Sequence, residues 1–128
     1  MGCGRDGMIT VDPELKSEPS SNLVQHETGE AVPIVSLKRI VERYALSDAV
    51  AKIDGEGCEY PLILGAGDEE LLAFRQISIE YHHGCQDLVD RLERAGFQVT
   101  HTRPVEFQNI VTGRSEAVGF IKAMKTSK

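Results

Sequence analysis

The stretch Val50-Ala51-Lys52-Ile53-Asp54-Gly55-Glu56-Gly57-Cys58-Glu59-Tyr60 changes character halfway along its length. A short apolar run, interrupted only by its lysine, is followed by two glycines and three carboxylates. Buried parallel strands are almost continuously apolar, and the loops at their carboxyl ends carry the polar groups of a site. The stretch therefore predicts a buried strand that leads into an acidic turn.

The carboxylates of this turn, Asp54, Glu56 and Glu59, are candidate functional groups. Held together at the end of a strand, they repel one another, and a ligand would relieve this repulsion. Gly55 and Gly57 allow backbone conformations, and a close approach to a ligand, that other residues do not. The alternative is an ordinary acidic turn whose carboxylates serve the N-terminus of the next helix. Chemistry alone leaves both interpretations open.

Apolar periodicity predicts strands and helices that alternate along the chain. Ser36 is a suitable N-cap for the first helix, and Pro33 makes residues 32–35 an extended edge segment because it cannot donate to a central ladder. Residues 12–31 are polar and predict a surface loop. Helices are predicted at 36–46, 61–64, 69–74 and 86–95, and strands at 8–11, 50–53, 76–82, 97–100 and 117–124. Residues 105–114 are expected to form a loop or hairpin connection, which implies an α/β fold with a sheet that is parallel first and antiparallel at its end.

The N-terminal residues Gly2-Cys3-Gly4-Arg5-Asp6-Gly7 spell G-x-G-x-x-G, the pattern of dinucleotide-binding loops. That fingerprint requires a preceding strand and a following helix. Only Met1 precedes this stretch, and Met8-Ile9-Thr10-Val11 has the character of a strand. We therefore interpret it as a turn that leads into a strand.

Composition and charge disfavour several classes of function. The 128 residues carry a formal net charge of −6, which argues against nonspecific binding to nucleic acid or to an anionic membrane. Aromatic residues make up 5% of the chain and Trp is absent, so a base-stacking platform is not expected. The sequence contains neither a run of about 18 apolar residues nor a signal-peptide pattern. Its three scattered cysteines predict no disulfide framework, so we expect a soluble, cytoplasmic protein with reduced thiols.

Four motifs, in order, resemble the FkbM family of S-adenosylmethionine-dependent methyltransferases. Residues 52–60 are similar to the family's K-x-D-x-E-G-x-E stretch, which forms the fourth strand of a class I methyltransferase sheet and the loop after it. Residues 36–40 resemble the helix before that motif, Ile79-Glu80-Tyr81-His82 resembles the fifth strand with its E-x-H end, and residues 92–97 resemble the L-x-x-x-G-F junction. The resemblance covers roughly residues 30–124 and implies a Rossmann-like sheet.

The activity implied by this resemblance is O-methyl transfer from S-adenosylmethionine to a hydroxyl of a sugar or polyketide-like small molecule. Two parallel strands would present their carboxyl ends at one edge of the sheet, where open α/β sheets bind ligands. The resemblance implies that Asp54 and Glu56 position the acceptor hydroxyl, that His82 is the general base, and that Glu59 and Glu80 contact the substrate. Histidine suits this role because its unperturbed pKa is about 6.5. The carboxylates would orient the acceptor, since methyl transfer mainly needs positioning.

Full members of the family begin with a strand and a glycine-rich loop, roughly D-x-G-A-x-x-G, that cradle the cofactor. This sequence contains no such stretch. The resemblance therefore implies only the second half of the domain, residues 32–128, preceded by an N-terminal strand and polar loop in residues 1–31, and it leaves the cofactor-binding residues unknown. The strand at 50–53 would lack its neighbour, and open edges of this kind pair with something. N-terminal segments, a second copy in a homo-oligomer, or a complementing half-domain could supply that partner. We expect N-terminal segments to cover part of the edge and self-association to cover the rest.

Two alternatives to methyl transfer stay open. The chain could be a non-catalytic binding or assembly module derived from the same fold. It could also be a metal-binding protein, because His82, His83 and Cys85 place three candidate ligands within four residues. Their spacing differs from the paired ligands of structural zinc sites, so no metal ligand is assigned. For His82 itself, the alternative to a base is a partly exposed polar residue at the end of a strand.

Overall fold

A computed structural model describes residues 2–3, 5–11 and 30–127 and shows an α/β fold with two sheets. Its strands are β1 (Gly2–Cys3), β2 (Gly7–Val11), β3 (Glu30–Val35), β4 (Ala49–Ile53), β5 (Phe74–Tyr81), β6 (Phe97–His101), β7 (Val105–Gln108) and β8 (Ser115–Lys125). Its helices are α1 (Leu37–Arg43), α2 (Glu59–Leu64), α3 (Asp68–Leu71) and α4 (Gln86–Ala95). In the part of the chain that it covers, no helix is both long and apolar enough to span a membrane.

The main sheet is mixed, with five strands. Its order is β4-β5-β8-β6, and β7 pairs with the first part of β8. The pair β4 and β5 is parallel, whereas β8 runs antiparallel to β5, β6 and β7. The predicted architecture, parallel first and closed by an antiparallel hairpin, is therefore confirmed at this coarse level.

The helices begin and end within two residues of their predicted bounds except at the C-terminal ends of α1 and α3. Helix α1 stops at Arg43 instead of the predicted residue 46. Ser36 caps α1, since its side chain accepts a hydrogen bond from the backbone N–H of Arg39. Helix α4 buries one apolar face and ends at Gly96, whose φ of 108° is the left-handed conformation that favours glycine. The predicted end of the helix at 69–74 is wrong, because α3 stops at Leu71. Phe74 is instead the first residue of β5, and its side chain is buried in the core.

The helices α2, α3 and α4 pack on one face of the main sheet. The core that they enclose contains Leu62, Ile63, Leu71, Phe74, Ile77, Ile79, Tyr81, Leu88, Leu92, Ile121 and Ala123. Residues that alternate with these strand positions point to the other face, where Val50 is 52% exposed and Phe120 is 55% exposed. The described helices thus leave one face of the sheet uncovered.

The N-terminal strands form a separate sheet in the order β1-β3-β2. The prediction of an edge segment at residues 32–35 is therefore wrong, because β3 is the middle strand. On the side of β1, Pro33 has no partner because β1 pairs only with Ile34 and Val35, and on the other side it lies opposite Met8 of β2. The predicted loop at 12–31 lies mostly outside the described residues, and its last two residues belong to β3. The boundary predicted between residues 31 and 32 falls inside this strand.

The expectation that N-terminal strands cover the edge of β4 is also wrong for the described residues, since β1 and β2 pair with β3. The turn between β1 and β2 instead reaches α1. The carboxylate of Asp6 accepts hydrogen bonds from the backbone N–H of Ser36 and from Nε of Arg39, both at 3.0 Å. These bonds lower the pKa of Asp6, the backbone bond from Ser36 most of all. Of the G-x-G-x-x-G stretch, Gly2–Cys3 form β1 and Gly7 begins β2, so the predicted turn before a strand is confined to the bend at Arg5 and Asp6.

Candidate functional site

Glu59 is a fully buried carboxylate in the first turn of α2. The chain folds back after β4 because Glu56 and Gly57 take positive φ values of 49° and 105°. Oε2 of Glu59 accepts a hydrogen bond from the backbone N–H of Gly57 at 2.8 Å, and Oε1 of Glu59 lies 2.9 Å from Nδ1 of His82. Both oxygens therefore have partners inside the protein, as a buried carboxylate requires.

His82 directly follows β5, and its side chain is only 8% exposed. A carboxylate can only accept, so Nδ1 is protonated and its N–H donates a hydrogen bond to Oε1 of Glu59. This bond fixes the orientation of the ring and leaves Nε2 as the nitrogen without a buried partner. Such an arrangement prepares a histidine to act as a base or as a metal ligand.

Three carboxylates surround Nε2 of His82. Oε2 of Glu56 lies at 3.2 Å, Oδ1 of Asp54 at 3.9 Å and Oε1 of Glu80 at 4.0 Å. The first two come from the turn after β4 and the third from β5, so the carboxyl ends of the parallel pair meet at one place. The structure thereby brings together every predicted site residue, Glu59 included.

The position of Glu59 corrects the substrate contact that the resemblance implies for it. A side chain with no solvent exposure, bonded to Nδ1 of His82, does not face the opening where an acceptor would bind. Glu59 instead holds the ring of His82 in place. The predicted roles of Asp54, Glu56 and Glu80 are compatible with their partly exposed side chains.

Burial and like charge perturb the cluster. Burial is the main cause that raises the pKa of Glu56, and the charge of Asp54 adds to it while His82 opposes it. Burial also raises the pKa of Glu80, helped by the charge of Asp54 and a hydrogen bond to it. For His82, burial by itself lowers the pKa, but the hydrogen bond to Glu59 and the surrounding carboxylates outweigh it and raise the pKa. The cluster therefore favours bound positive charge.

Tyr60 holds the loop that follows His82, a role that sequence reasoning missed. Its hydroxyl donates to the backbone carbonyl of Gly84 and accepts from the backbone N–H of His83 at 2.7 Å. Because Tyr60 follows Glu59 in α2, one helical turn fixes both the ring of His82 and the loop after it. The one sequence feature that points to Tyr60 is its position directly after Glu59, at the end of the acidic stretch.

The metal cluster considered at His82, His83 and Cys85 does not assemble. The side chain of His83 is exposed, and Sγ of Cys85 lies 3.6 Å from Nδ1 of His101 instead. These neighbours in sequence point in different directions because the loop turns sharply at Gly84, where φ is 88°.

A different set of donors comes together. One ligand atom each from Asp54, Glu80 and His82 lies within 4.8 Å of the others. Among the residues that the structure describes, these three are the ones whose donors could share one metal ion.

A groove of about 470 Å³ opens on the uncovered face of the main sheet, and Glu80 lies both in its wall and in the cluster. Aliphatic and aromatic side chains contribute to its lining, together with hydroxyl groups and two lysines. The lining residues are Lys52, Ser78, Ile79, Glu80, Thr100, His101, Thr102, Phe120, Ile121 and Lys122. The groove offers a small molecule both apolar contact and hydrogen-bonding groups beside the carboxylates.

No protein-family model, no curated protein and no solved structure matches this chain. The geometry of the site and the motifs of the sequence are therefore what indicate a function.

Proposed function

We propose that this chain is the acceptor-binding half of an FkbM-like methyltransferase, in which His82 takes the proton of a small-molecule hydroxyl. The observation that carries the proposal is the pair of Glu59 and His82. A fully buried carboxylate holds one ring nitrogen, and the other nitrogen points at the carboxylates that end β4 and β5.

The pair supports proton transfer from an acceptor hydroxyl. A hydroxyl within hydrogen-bond reach of Nε2 of His82 would give its proton to the ring as its oxygen becomes a nucleophile. Glu59 keeps Nδ1 protonated and stabilises the imidazolium that forms, as the carboxylate does in other histidine–carboxylate pairs. Asp54 and Glu56 accept hydrogen bonds from hydroxyls of the acceptor and so orient it.

The groove beside the cluster favours an acceptor that is partly apolar and rich in hydroxyls. Phe120 provides a surface for a sugar ring or an aliphatic segment, and Ser78 and Thr100 offer hydroxyl partners. Because Glu80 lies in the wall of the groove, an acceptor seated there would have one end at the carboxylates. These features fit a sugar or polyketide-like molecule, the acceptor class that the resemblance implies.

The described residues do not fit S-adenosylmethionine, the cofactor that the resemblance implies. The glycine-rich loop of the family belongs to a strand beside β4. In the described part of the chain β4 is an edge of the main sheet, so no strand lies there to carry such a loop. The described residues therefore account for an acceptor-binding site alone. A second copy or a complementing half-domain would supply the cofactor-binding site.

Acceptor binding is the direct test. The ¹⁵N-labelled chain is screened by NMR against simple sugars, glycosides and hydroxylated polyketide fragments. Amide shifts that map to His82, Glu80 and the groove, and that disappear in Asp54→Asn, are expected. Asp87→Asn, on the exposed side of α4, serves as the matched control. If no compound perturbs these amides, or if hits bind elsewhere, the acceptor site is refuted.

The second candidate is a non-catalytic binding or assembly module, and the open edge of β4 favours it. Calorimetric titration with S-adenosylhomocysteine separates the two functions. Micromolar binding supports the enzyme, with a cofactor site rebuilt across an oligomer. Acceptor binding without cofactor binding supports a half-enzyme, and the absence of both supports the assembly module.

A further inference from the structure

We propose that Asp54, Glu80 and His82 form a binding site for one divalent transition-metal ion of the series from Mn²⁺ to Zn²⁺. Their donor atoms lie within 4.8 Å of one another, so a single ion can touch all three after small side-chain movements. The inference goes beyond the proposed function, since it holds whether or not the chain takes part in methyl transfer.

The ring of His82 supplies the independent reason for a cation. Its side chain is more than nine-tenths buried, and its Nδ1–H is committed to Glu59. Nε2 of this ring faces carboxylate oxygens, the nearest being Oε2 of Glu56 at 3.2 Å, and an unprotonated Nε2 would set its lone pair against theirs. These groups repel one another unless a positive charge lies between them. A proton on Nε2 supplies that charge in the metal-free chain, and a metal ion supplies it in place of the proton, with Nε2 of His82 and one oxygen each of Asp54 and Glu80 as ligands.

Glu59 supports the ring of His82 through Nδ1, the nitrogen that would not bind the ion. Histidines that bind metals usually donate their second ring N–H to a carboxylate, which fixes the tautomer and makes the ligating nitrogen more basic. Oε1 of Glu59 is at 2.9 Å from Nδ1 of His82, and its other oxygen is held by the backbone of Gly57. The hydrogen bond that would orient His82 as a metal ligand is therefore present without the ion.

The chemistry of the donors selects the class of ion. One imidazole and two carboxylates suit Mn²⁺, Fe²⁺, Co²⁺ or Zn²⁺, whereas Ca²⁺ and Mg²⁺ prefer oxygen ligands alone. Three protein ligands leave at least one position for water or a hydroxyl. A metal ion and a proton exclude each other at Nε2, so a loaded site would prevent His82 from acting as a base.

The test is titration of the full, metal-free chain with Mn²⁺, followed by electron paramagnetic resonance of the free ion. We expect saturable binding of one ion per chain. Asp54→Asn and Glu80→Gln should each weaken binding by about tenfold or more, and Glu59→Gln should weaken it by about tenfold through the ring of His82. Glu116→Gln is the matched control: it removes one negative charge near Glu56 without removing a ligand, and binding should stay close to that of the wild type.

A second measurement needs no variant. In the wild-type chain, Mn²⁺ should first broaden the amide signals of residues 54–56 and 80–82. Broadening that begins elsewhere, the absence of saturable binding, or equal weakening by Glu116→Gln and Glu80→Gln would overturn the proposal. Because the assay contains neither cofactor nor acceptor, its failure leaves the proposed acceptor site untouched, and failure of acceptor binding leaves the metal site untouched.

Discussion

At the scale of single residues, the site depends on where one carboxylate is buried. Glu59 has no solvent exposure, yet each of its oxygens has a partner, the backbone N–H of Gly57 and the ring of His82. Burying a carboxylate is unfavourable unless such bonds replace the lost water. The bonds that allow Glu59 to be buried therefore also fix the ring of His82.

Removal of this carboxylate should destabilise the protein. In Glu59→Ala, the N–H of Gly57 and Nδ1 of His82 lose their acceptors inside the protein, so we expect the free energy of unfolding to fall by about 3 kcal/mol. Glu59→Gln keeps an acceptor oxygen for one of the two donors and should lose less. Urea unfolding followed by circular dichroism measures both. Glu69→Ala, at an exposed glutamate of α3, is the control, and equal stability of the two alanine variants would contradict the assignment.

At the scale of secondary structure, periodic segments could be predicted from the sequence and long-range pairings could not. The apolar face of α4 and the run of β4 carry their own signals, and both elements lie where predicted. The middle position of β3 depends on β1 and β2, which lie far from it along the chain. A local pattern predicts the strand at residues 8–11 but does not specify its partner. Local rules therefore predict an edge segment around Pro33, whereas β3 lies between β1 and β2.

The site could be predicted as a set of residues but not as an arrangement. Parallel neighbours end at the same edge, which is why Asp54, Glu56, Glu80 and His82 converge as expected. That Glu59 turns inward follows from the positive φ values in the turn before it, which the sequence does not specify.

The pairing of β5 with β8 requires a glycine at one point. Gly119 lies opposite Tyr81, and a Cβ added there would collide with the tyrosine ring, which is itself fixed by a hydrogen bond from its hydroxyl to the carbonyl of Thr102 at 2.8 Å. Gly119→Ala should lower the free energy of unfolding by about 1–3 kcal/mol, because overpacking in a core displaces side chains. Thermal unfolding measures the loss. Gly67→Ala is the matched control, since its Cβ would meet only the flexible side chain of Glu70, and a similar loss in both variants would disprove the collision.

At the scale of the whole molecule, the cluster gives the stability of the fold a definite dependence on pH. Glu56 and Glu80 have pKa values above their ordinary 4.5, and His82 has a pKa above 6.5. In each case the folded chain holds protons more tightly than the unfolded chain does. Stability is then greatest while these groups are protonated, and it decreases as pH rises through the folded pKa values.

Without metal, the melting temperature should therefore fall as pH rises from about 5 to about 8. In a domain of this size, about 1 kcal/mol corresponds to roughly 4 °C. Differential scanning calorimetry in EDTA measures the slope. The double variant Glu56→Gln, Glu80→Gln should flatten it, whereas Glu106→Gln, on the exposed strand β7, should not. A melting temperature that rises with pH over this range would contradict the prediction.

The edge of the main sheet predicts how the molecule behaves at high concentration. In the described residues β4 pairs with β5 alone, and its outward backbone groups have no partner there. An apolar edge strand with unpaired backbone groups tends to pair with another chain. Within β4, Lys52 is the one charged residue that opposes such pairing. We expect reversible self-association in sedimentation velocity, with the outward amides of β4 gaining protection from hydrogen exchange as concentration rises. Val50→Lys adds a second charge and should weaken it, whereas Val111→Lys, in the exposed hairpin turn, should not. A monomer at every concentration, with those amides unprotected, would contradict the prediction.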